Sequence, residues 1–294
     1  MLPSPVPGRA CPFLLALRGG EAVCFAVIFT VPRACRMSFP RVRSRLNSSV
    51  LLMLGLALCG SPRLRAEGSP PLITDDPGTP PKGHWEINLG TSTERRPGLQ
   101  QSELPLLDLN YGLADTVQLK YEVPFLLERE AGEDQRTGWG NSEVGVKWRF
   151  IDHGEGGLAM SVYPQYAFSN PSASSDDRDL VEPGSAFLLP VQLEKAIGPV
   201  TLNLQLGREF RSSGDSWFYG LALSHRVQDK WEFGGELAGT AEPRFGRSSL
   251  TLNFGVMIDL NAHTSFMFSL GRDLYNRQEP CATLVGYLGW QFRL

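Results

Sequence analysis

The chain has 294 residues, of which 42% are hydrophobic and 20% are charged, and its formal net charge at pH 7 is −3. This near-neutral charge, with no basic tract of interleaved aromatic residues after Ala66, argues against a nucleic-acid partner. The 31 glycines and 22 prolines favour a fold with many turns over a helical bundle.

The N-terminal part has the layout of a secretory signal peptide. Three arginines between residues 41 and 45 precede an apolar run from Val50 to Cys59, and the small residue Ala66 follows. Because that run is too short for a stable membrane anchor, residues 37–66 predict a cleaved signal and export of the chain. This signal is complete by itself, so residues 1–36 are interpreted as an extension that is not translated or not part of the folded structure.

Four of the five cysteines lie within this removable part, and only Cys281 remains in the exported chain. A single cysteine cannot form a cysteine-based zinc site or a CxxC redox centre. The sequence therefore predicts neither a cofactor nor a metal.

Residues 67–83 form a segment that contains five prolines and three glycines. This composition is typical of a connecting segment, and we predict a periplasmic lead-in that precedes the folded domain at residues 84–294. The sequence leaves open whether the lead-in folds into the periplasmic mouth of that domain as a short plug. Its acidic pair, Asp75 and Asp76, is interpreted as solvated, because no EF-hand spacing accompanies it.

Throughout the predicted domain, apolar and polar residues alternate. In the first stretch, Trp85, Ile87 and Leu89 alternate with Glu86 and Asn88. An apolar side chain at every second residue requires a β-strand with one apolar and one polar face. Twelve stretches show this pattern: the one that begins at Trp85, Leu104–Tyr111, Val117–Val123, Val144–Phe150, Leu158–Phe168, Phe187–Leu193, Val200–Leu206, Trp217–Leu223, Trp231–Leu237, Leu250–Ile258, Phe266–Leu270 and Leu284–Leu294.

The connections between these stretches alternate in length, which places both ends of the domain on the side of the tight turns. This organisation, with aromatic residues near both ends of the strands, is typical of a bacterial outer-membrane barrel. We predict an all-β fold, an antiparallel transmembrane β-barrel of about twelve strands; about ten or fourteen strands, or a soluble β-sandwich, are the alternatives. The tight turns are predicted at Gly112–Asp115, Asp152–Gly156, Gly198–Pro199, Gln228–Lys230 and Leu260–His263.

If the apolar faces meet lipid, the polar faces line the interior of the barrel. Charged side chains left unpaired in a dry interior would cost several kcal/mol each, so they must form ion pairs or contact water. Two interpretations stay open: a polar conduit whose opposed charges select solutes, or a salt-bridged set of side chains that holds the shape of the barrel. The predicted lumen-lining residues are Lys120, Glu122, Glu143, Lys147, Arg149, Glu209, Arg211, Arg226, Glu232, Glu236 and Asp259.

The chain also resembles a known family around the start of the barrel. Thr74-Asp75-Asp76, Lys82-Gly83 and Trp85-Glu86 look like the leading segment of the outer-membrane transporters grouped under the name "MetA-pathway of phenol degradation". The resemblance covers this short motif and the barrel pattern over the remaining chain. It implies an outer-membrane channel or transporter for small, aromatic or hydrophobic compounds.

The sequence favours a channel over an enzyme. Ser224 and His225 are adjacent and therefore point to opposite faces of a strand, and no GxSxG motif is present. We predict a monomeric barrel in the outer membrane of a Gram-negative cell that passes small-molecule solutes, with the lipid bilayer and the barrel-assembly machinery as partners. A structural or adhesive surface barrel without transport is the alternative, and an outer-membrane lipid hydrolase is a more remote one.

Overall fold

The computed structural model describes residues 71–152, 157–170, 180–181 and 184–294. The predicted extension, the predicted signal peptide and parts of two predicted connections lie outside these residues. No helix that is long and apolar enough to cross a membrane occurs in the described part of the chain.

The alternating stretches form β-strand segments, because each polar residue that turns inward is followed by an apolar residue that turns outward. Neighbouring segments pair antiparallel within one sheet. In chain order the segments are β1 (Trp85–Arg96), β2 (Leu99–Ala114), β3 (Val117–Glu130), β4 (Arg136–Trp139), β5 (Ser142–Ile151), β6 (Leu158–Val162), β7 (Gln165–Phe168), β8 (Ala186–Ile197), β9 (Val200–Arg211), β10 (Ser216–Val227), β11 (Trp231–Ala241), β12 (Ser249–Asn261), β13 (Thr264–Asn276) and β14 (Leu284–Arg293).

Two of the barrel strands are interrupted. Both β4 and β5 pair with β3, and both β6 and β7 pair with β5 and β8, so each couple makes one strand of the barrel. The second interruption lies at Tyr163 and Pro164, where the proline has no N–H to donate to the neighbouring strand. The preceding residue still bonds across the interruption, since the Tyr163 N–H donates to the Pro190 carbonyl at 3.0 Å. The predicted all-β antiparallel barrel of about twelve strands is confirmed.

The barrel closes where the first strand meets the last. β1 pairs with β2 on one side and with β14 on the other. Trp85 and Leu294 exchange both backbone hydrogen bonds, at 2.8 and 2.9 Å. Closure matters because no water is present in the bilayer core to satisfy the N–H and C=O groups of a free strand edge.

The two faces of the wall have opposite polarity. Trp148 and Phe254 point outward and are 54% and 60% exposed, whereas Gln192 and Gln291 point inward and are fully buried. Soluble proteins show the reverse distribution. An apolar outer surface around a polar interior is what a barrel surrounded by lipid requires.

Aromatic residues pair on the wall near both ends of the barrel, as expected where strands cross the headgroup regions. Four pairs lie toward the tight turns: Trp85–Tyr111, Trp148–Phe150, Trp231–Phe233 and Phe266–Trp290. Three lie toward the longer connections: Phe125–Trp139, Tyr166–Phe168 and Phe187–Phe210.

A charge placed on the outer face should destabilise the barrel. Leu221 lies in the middle of β10 and is 42% exposed on that face. We expect Leu221→Arg to lower the free energy of unfolding by about 2–4 kcal/mol, because arginine near the bilayer midplane is poorly solvated. Denaturant unfolding in phospholipid vesicles measures the loss. Leu221→Val is the control, and an Arg variant as stable as the Val variant would contradict a lipid-facing Leu221.

Candidate functional site

The described part of the lead-in, which begins at residue 71, lies inside the barrel. Thr74, Pro77 and Thr79 are buried, and the segment returns to the tight-turn rim, where the Gly83 N–H bonds the Gly112 carbonyl at 2.7 Å. We call residues 71–82 the internal loop. The prolines and glycines suit this position, because the loop fills space without forming a strand of its own.

Glu236 on β11 binds the backbone of the internal loop at Ile73 and Thr74. Its two carboxylate oxygens accept hydrogen bonds from the Ile73 and Thr74 backbone N–H groups, both at 2.7 Å. The Asn253 side chain on β12 donates to the same carboxylate at 2.8 Å. A carboxylate that accepts several N–H groups forms charge-assisted hydrogen bonds, which are among the stronger ones in proteins. Glu236 therefore replaces the hydrogen bonds that these loop N–H groups would otherwise make to water.

Asp75 ties the same loop to the opposite wall. Its carboxylate lies 3.0 Å from the Lys147 Nζ and accepts a 2.7 Å hydrogen bond from the Gln192 side chain. Lys147 is fully buried, and its ammonium also donates to the Asp76 carbonyl at 2.8 Å and lies 4.6 Å from the centre of the Tyr163 ring. The interpretation of Asp75 as merely solvated is therefore wrong. The spacing of an isolated acidic pair could not show that a lysine 72 residues away would reach it.

Asp76, the next residue, forms no ion pair through its carboxylate with any cation in the described part of the chain. Burial raises the pKa of its carboxyl well above the usual range. The charges of Glu194 and Asp75 add to this shift, and Lys147 opposes it.

Glycines in the wall make room for the internal loop. A Cβ at Gly220 on β10 would lie 2.9 Å from both Cβ and Cγ2 of Thr74 and still closer to its hydroxyl, and a Cβ at Gly112 on β2 would overlap the Pro81 carbonyl. Leu72 occupies the equivalent space beside two further glycines, Gly234 and Gly255. Only the residue without a side chain permits such close approach of another segment.

A cavity of about 620 Å³ lies beyond the internal loop. Leu72, Ile73, Thr74 and Asp75 of the loop line it, as do residues near the longer connections such as Glu279. Its volume falls within the range of about 300–1,000 Å³ that is usual for small-molecule sites. The cavity therefore extends from the loop toward the ends of the strands that carry the longer connections.

Four of the predicted lumen-lining residues come together around this cavity: Lys120, Glu122, Glu143 and Lys147. The Lys120 ammonium lies 2.9 Å from both the Glu122 and the Glu143 carboxylates. One ammonium shared between two carboxylates leaves this part of the wall with an excess of negative charge. Whether these side chains contact a solute stays a prediction.

Other predicted residues lie elsewhere. At the tight-turn end, Arg226 pairs with Glu232 and Asp259 at 2.7 and 2.6 Å. Arg149 bonds the carbonyl of a neighbouring turn residue, Asp115, at 2.8 Å. These groups brace the rim of the barrel and do not line the cavity.

Two further predicted residues, Glu209 and Arg211, form an ion pair toward the long-connection end of β9. Ser216 donates to Glu209 at 3.3 Å. This pair does not line the cavity either. The remaining predicted residue, Glu236, binds the backbone of the internal loop and does not line the cavity.

Several neutral residues complete the site and did not stand out in the sequence. Gln205 accepts a hydrogen bond from the Asp75 N–H at 2.9 Å, Gln192 binds the Asp75 side chain, and Tyr163 lies over Lys147. A usable signal was nevertheless present: inward-facing amides and glycines inside strands, where bulky side chains would ordinarily fill the space. Gly220, which receives Thr74, is such a position.

The described histidines lie at the tight-turn rim. His84, His225 and His263 each lie within hydrogen-bond distance of a backbone carbonyl, those of Lys82, Pro199 and Arg293. Within the described residues, no group of three or more His, Cys, Asp or Glu is placed to hold a metal ion.

The fold resembles solved outer-membrane proteins. The COG4313 outer membrane channel from Pseudomonas putida F1 aligns with a TM-score of 0.62 at 14% identity, covering 78% of this chain and all of that one. The NanC porin aligns with a TM-score of 0.52 at 9% identity, covering 71% of this chain and all of the porin. At such identities the likeness shows the barrel fold alone.

No curated protein matches the chain. A family model described as "Putative MetA-pathway of phenol degradation" matches residues 70–280, which is more than half of the sequence and includes both the internal loop and most of the barrel. The family predicted from Thr74-Asp75-Asp76 and the barrel pattern is therefore confirmed. The protein belongs to the family of the MetA pathway of phenol degradation, and its fold is that of an outer-membrane β-barrel.

Proposed function

We propose that this protein is an outer-membrane channel that passes small solutes through its charged interior, and that the internal loop limits their passage. The cavity of about 620 Å³ beside that loop carries the proposal. A salt-bridged interior that served only to hold the barrel's shape would gain nothing from a space of this size. The channel and the porin with the same fold support a transport function by analogy only.

The wall of the cavity supports a solute that is partly apolar. Leu106, Leu188 and Phe218 line the cavity, together with Ile73 at the top of the internal loop. Ile73 is 51% exposed in this position. Because apolar side chains that line a cavity favour apolar ligands, small aromatic or hydrophobic compounds are the solute class that we propose.

The apolar outer face of the barrel supports a location in the outer membrane. An exported chain that folds into a barrel with an apolar outer face belongs in the outer membrane. Its partners would be the bilayer and the barrel-assembly machinery. One closed barrel encloses its own cavity, so a monomer suffices for transport.

Deleting residues 71–80 from the mature protein tests the proposal. We expect the wild-type barrel to give small or rare conductance steps in planar bilayers and the deletion variant to give larger and frequent ones, because the loop occupies the interior. Deleting residues 131–134, which are exposed between β3 and β4, is the control and should leave conductance unchanged.

Heat-dependent mobility on gels and circular dichroism must show that each variant is folded. A folded deletion variant that conducts no better than the wild-type protein would rule out obstruction by the loop. If neither barrel conducts or takes up solutes, transport is wrong and a structural or adhesive surface barrel replaces it.

A further inference from the structure

Charged groups are distributed unequally in the cavity. Its lining includes more carboxylates than cations, and each of its cations already contacts a carboxylate. Lys120 lies between Glu122 and Glu143, and Lys147 contacts Asp75. The carboxylates of the lining are Asp75, Glu94, Asp108, Glu122, Glu143, Asp273 and Glu279, and its cations are Arg96, Lys120 and Lys147.

Asp108 adds a second observation. Asp108 is 6% exposed, and among the described residues no cation lies within ion-pair distance of it, although the charge of Lys120 acts on it from farther away. Its Oδ2 accepts hydrogen bonds from Asn88 and Asn110, both at 3.0 Å, while Oδ1 has no partner among the described residues. A buried carboxylate with an unsatisfied oxygen is costly, and a nearby positive charge would offset that cost.

The acidic side of the cavity faces an apolar side. Asp108, Glu122 and Glu143 lie on β2, β3 and β5, whereas Leu188 and Phe218 lie on β8 and β10. Around the barrel, β10 with Phe218 lies opposite β2 with Asp108, since five strands separate them in either direction, whereas only the strand of β6 and β7 separates β8 from β5. Ile73 of the internal loop adds a further apolar surface. One solute spanning the cavity would therefore meet the carboxylates on one side and the Phe218 ring on the other.

We propose that the cavity binds small amphipathic cations, namely amines or quaternary ammonium compounds with an apolar body. The inference rests on the proposed function, since it assigns the solute class of the same cavity. An ammonium group would lie against the acidic wall, which is formed by Asp108, Glu122 and Glu143. An anion of the same shape would meet excess negative charge and no cation without a carboxylate partner among the described lining residues.

Titration calorimetry on the whole mature protein in detergent tests this assignment with three probes of similar shape. Benzylamine is a cation at pH 7, benzyl alcohol is neutral and benzoate is an anion. We expect benzylamine to bind at least about tenfold more tightly than benzyl alcohol, which is the effect of about 1.4 kcal/mol, and benzoate to bind least. Equal or tighter binding of benzyl alcohol or benzoate would overturn the proposal.

Two variants identify the wall that is responsible. The double variant Glu122→Gln/Glu143→Gln leaves Lys120 without these carboxylates and should remove the preference for benzylamine. The matched control, Glu133→Gln/Asp134→Asn, removes two charges from an exposed connection and should keep it. If the preference survives in a folded Glu122→Gln/Glu143→Gln variant, the acidic wall does not recognise the cation.

Calorimetry does not depend on conduction, so binding and transport fail separately. The reversal potential in a potassium chloride gradient then reports which ion permeates, and we expect potassium to be preferred over chloride. Benzylamine binding by a barrel that never conducts would keep the cation site and refute the channel. Conduction by a barrel that binds benzylamine no more tightly than benzyl alcohol would keep the channel and refute the cation site.

Discussion

Replacing Lys147 by methionine is expected to release the internal loop and to raise the open fraction of the channel by about a hundredfold. The Lys147 ammonium is fully buried and contacts both the Asp75 carboxylate and the Asp76 carbonyl. Removing one partner of a buried ion pair costs about 3–5 kcal/mol. About 1.4 kcal/mol corresponds to a factor of ten in an equilibrium constant. Even the lower value therefore shifts the equilibrium between the docked and the released loop about a hundredfold toward release.

Single-channel recordings of the refolded variant in planar bilayers measure this shift. Lys230→Met removes the same charge from an exposed turn and should leave the open fraction unchanged. Asp75→Asn should have an effect in the same direction as Lys147→Met, because it removes the other half of the pair. A folded Lys147→Met barrel that opens as rarely as the wild-type barrel would show that this ion pair does not hold the loop.

Gly220→Ala is expected to displace the internal loop by steric overlap alone, without changing any charge. The added Cβ would lie 2.9 Å from Cβ and Cγ2 of Thr74. Overpacking of this kind costs about 1–3 kcal/mol. The open fraction should rise roughly tenfold, which corresponds to about 1.4 kcal/mol.

A second substitution tests whether Thr74 is the group that clashes. The three atoms nearest to the position that the added Cβ would take all belong to the Thr74 side chain. We therefore expect the open fraction of the double variant Gly220→Ala/Thr74→Gly to fall back toward the wild-type value. The effects of the two substitutions would then not be additive, which indicates that the two residues interact. Gly286→Ala is the control, since its Cβ would meet its nearest neighbour at an ordinary 3.5 Å. Full opening of the double variant would place the clash elsewhere.

The wall of the barrel was predictable because its pattern is local. Each strand shows its outward face through apolar residues two positions apart, as in Leu221 and Leu223. The two interrupted strands were harder to define. β6 and β7 were expected as one stretch and are separated at Tyr163 and Pro164, although together they still make one strand of the barrel.

The candidate site was predictable only in part. Lys120, Glu122, Glu143 and Lys147 were expected to face inward from alternation, and they lie around the cavity. Alternation could not distinguish them from Arg226 and the other charged groups that brace the rim, since all occupy polar positions in strands. Depth along the barrel, which separates the two sets, depends on strand register and tilt.

The sequence by itself determined a closed antiparallel barrel and its family, because strand alternation and a short motif are both local features. Only the tertiary structure decided where the internal loop lies and which charges meet. The Ile73 N–H reaches a carboxylate on Glu236, 163 residues away, and Asp75 meets a lysine 72 residues away. Such pairs form because closure of the barrel brings distant strands around one interior, and no periodicity along the chain encodes that proximity.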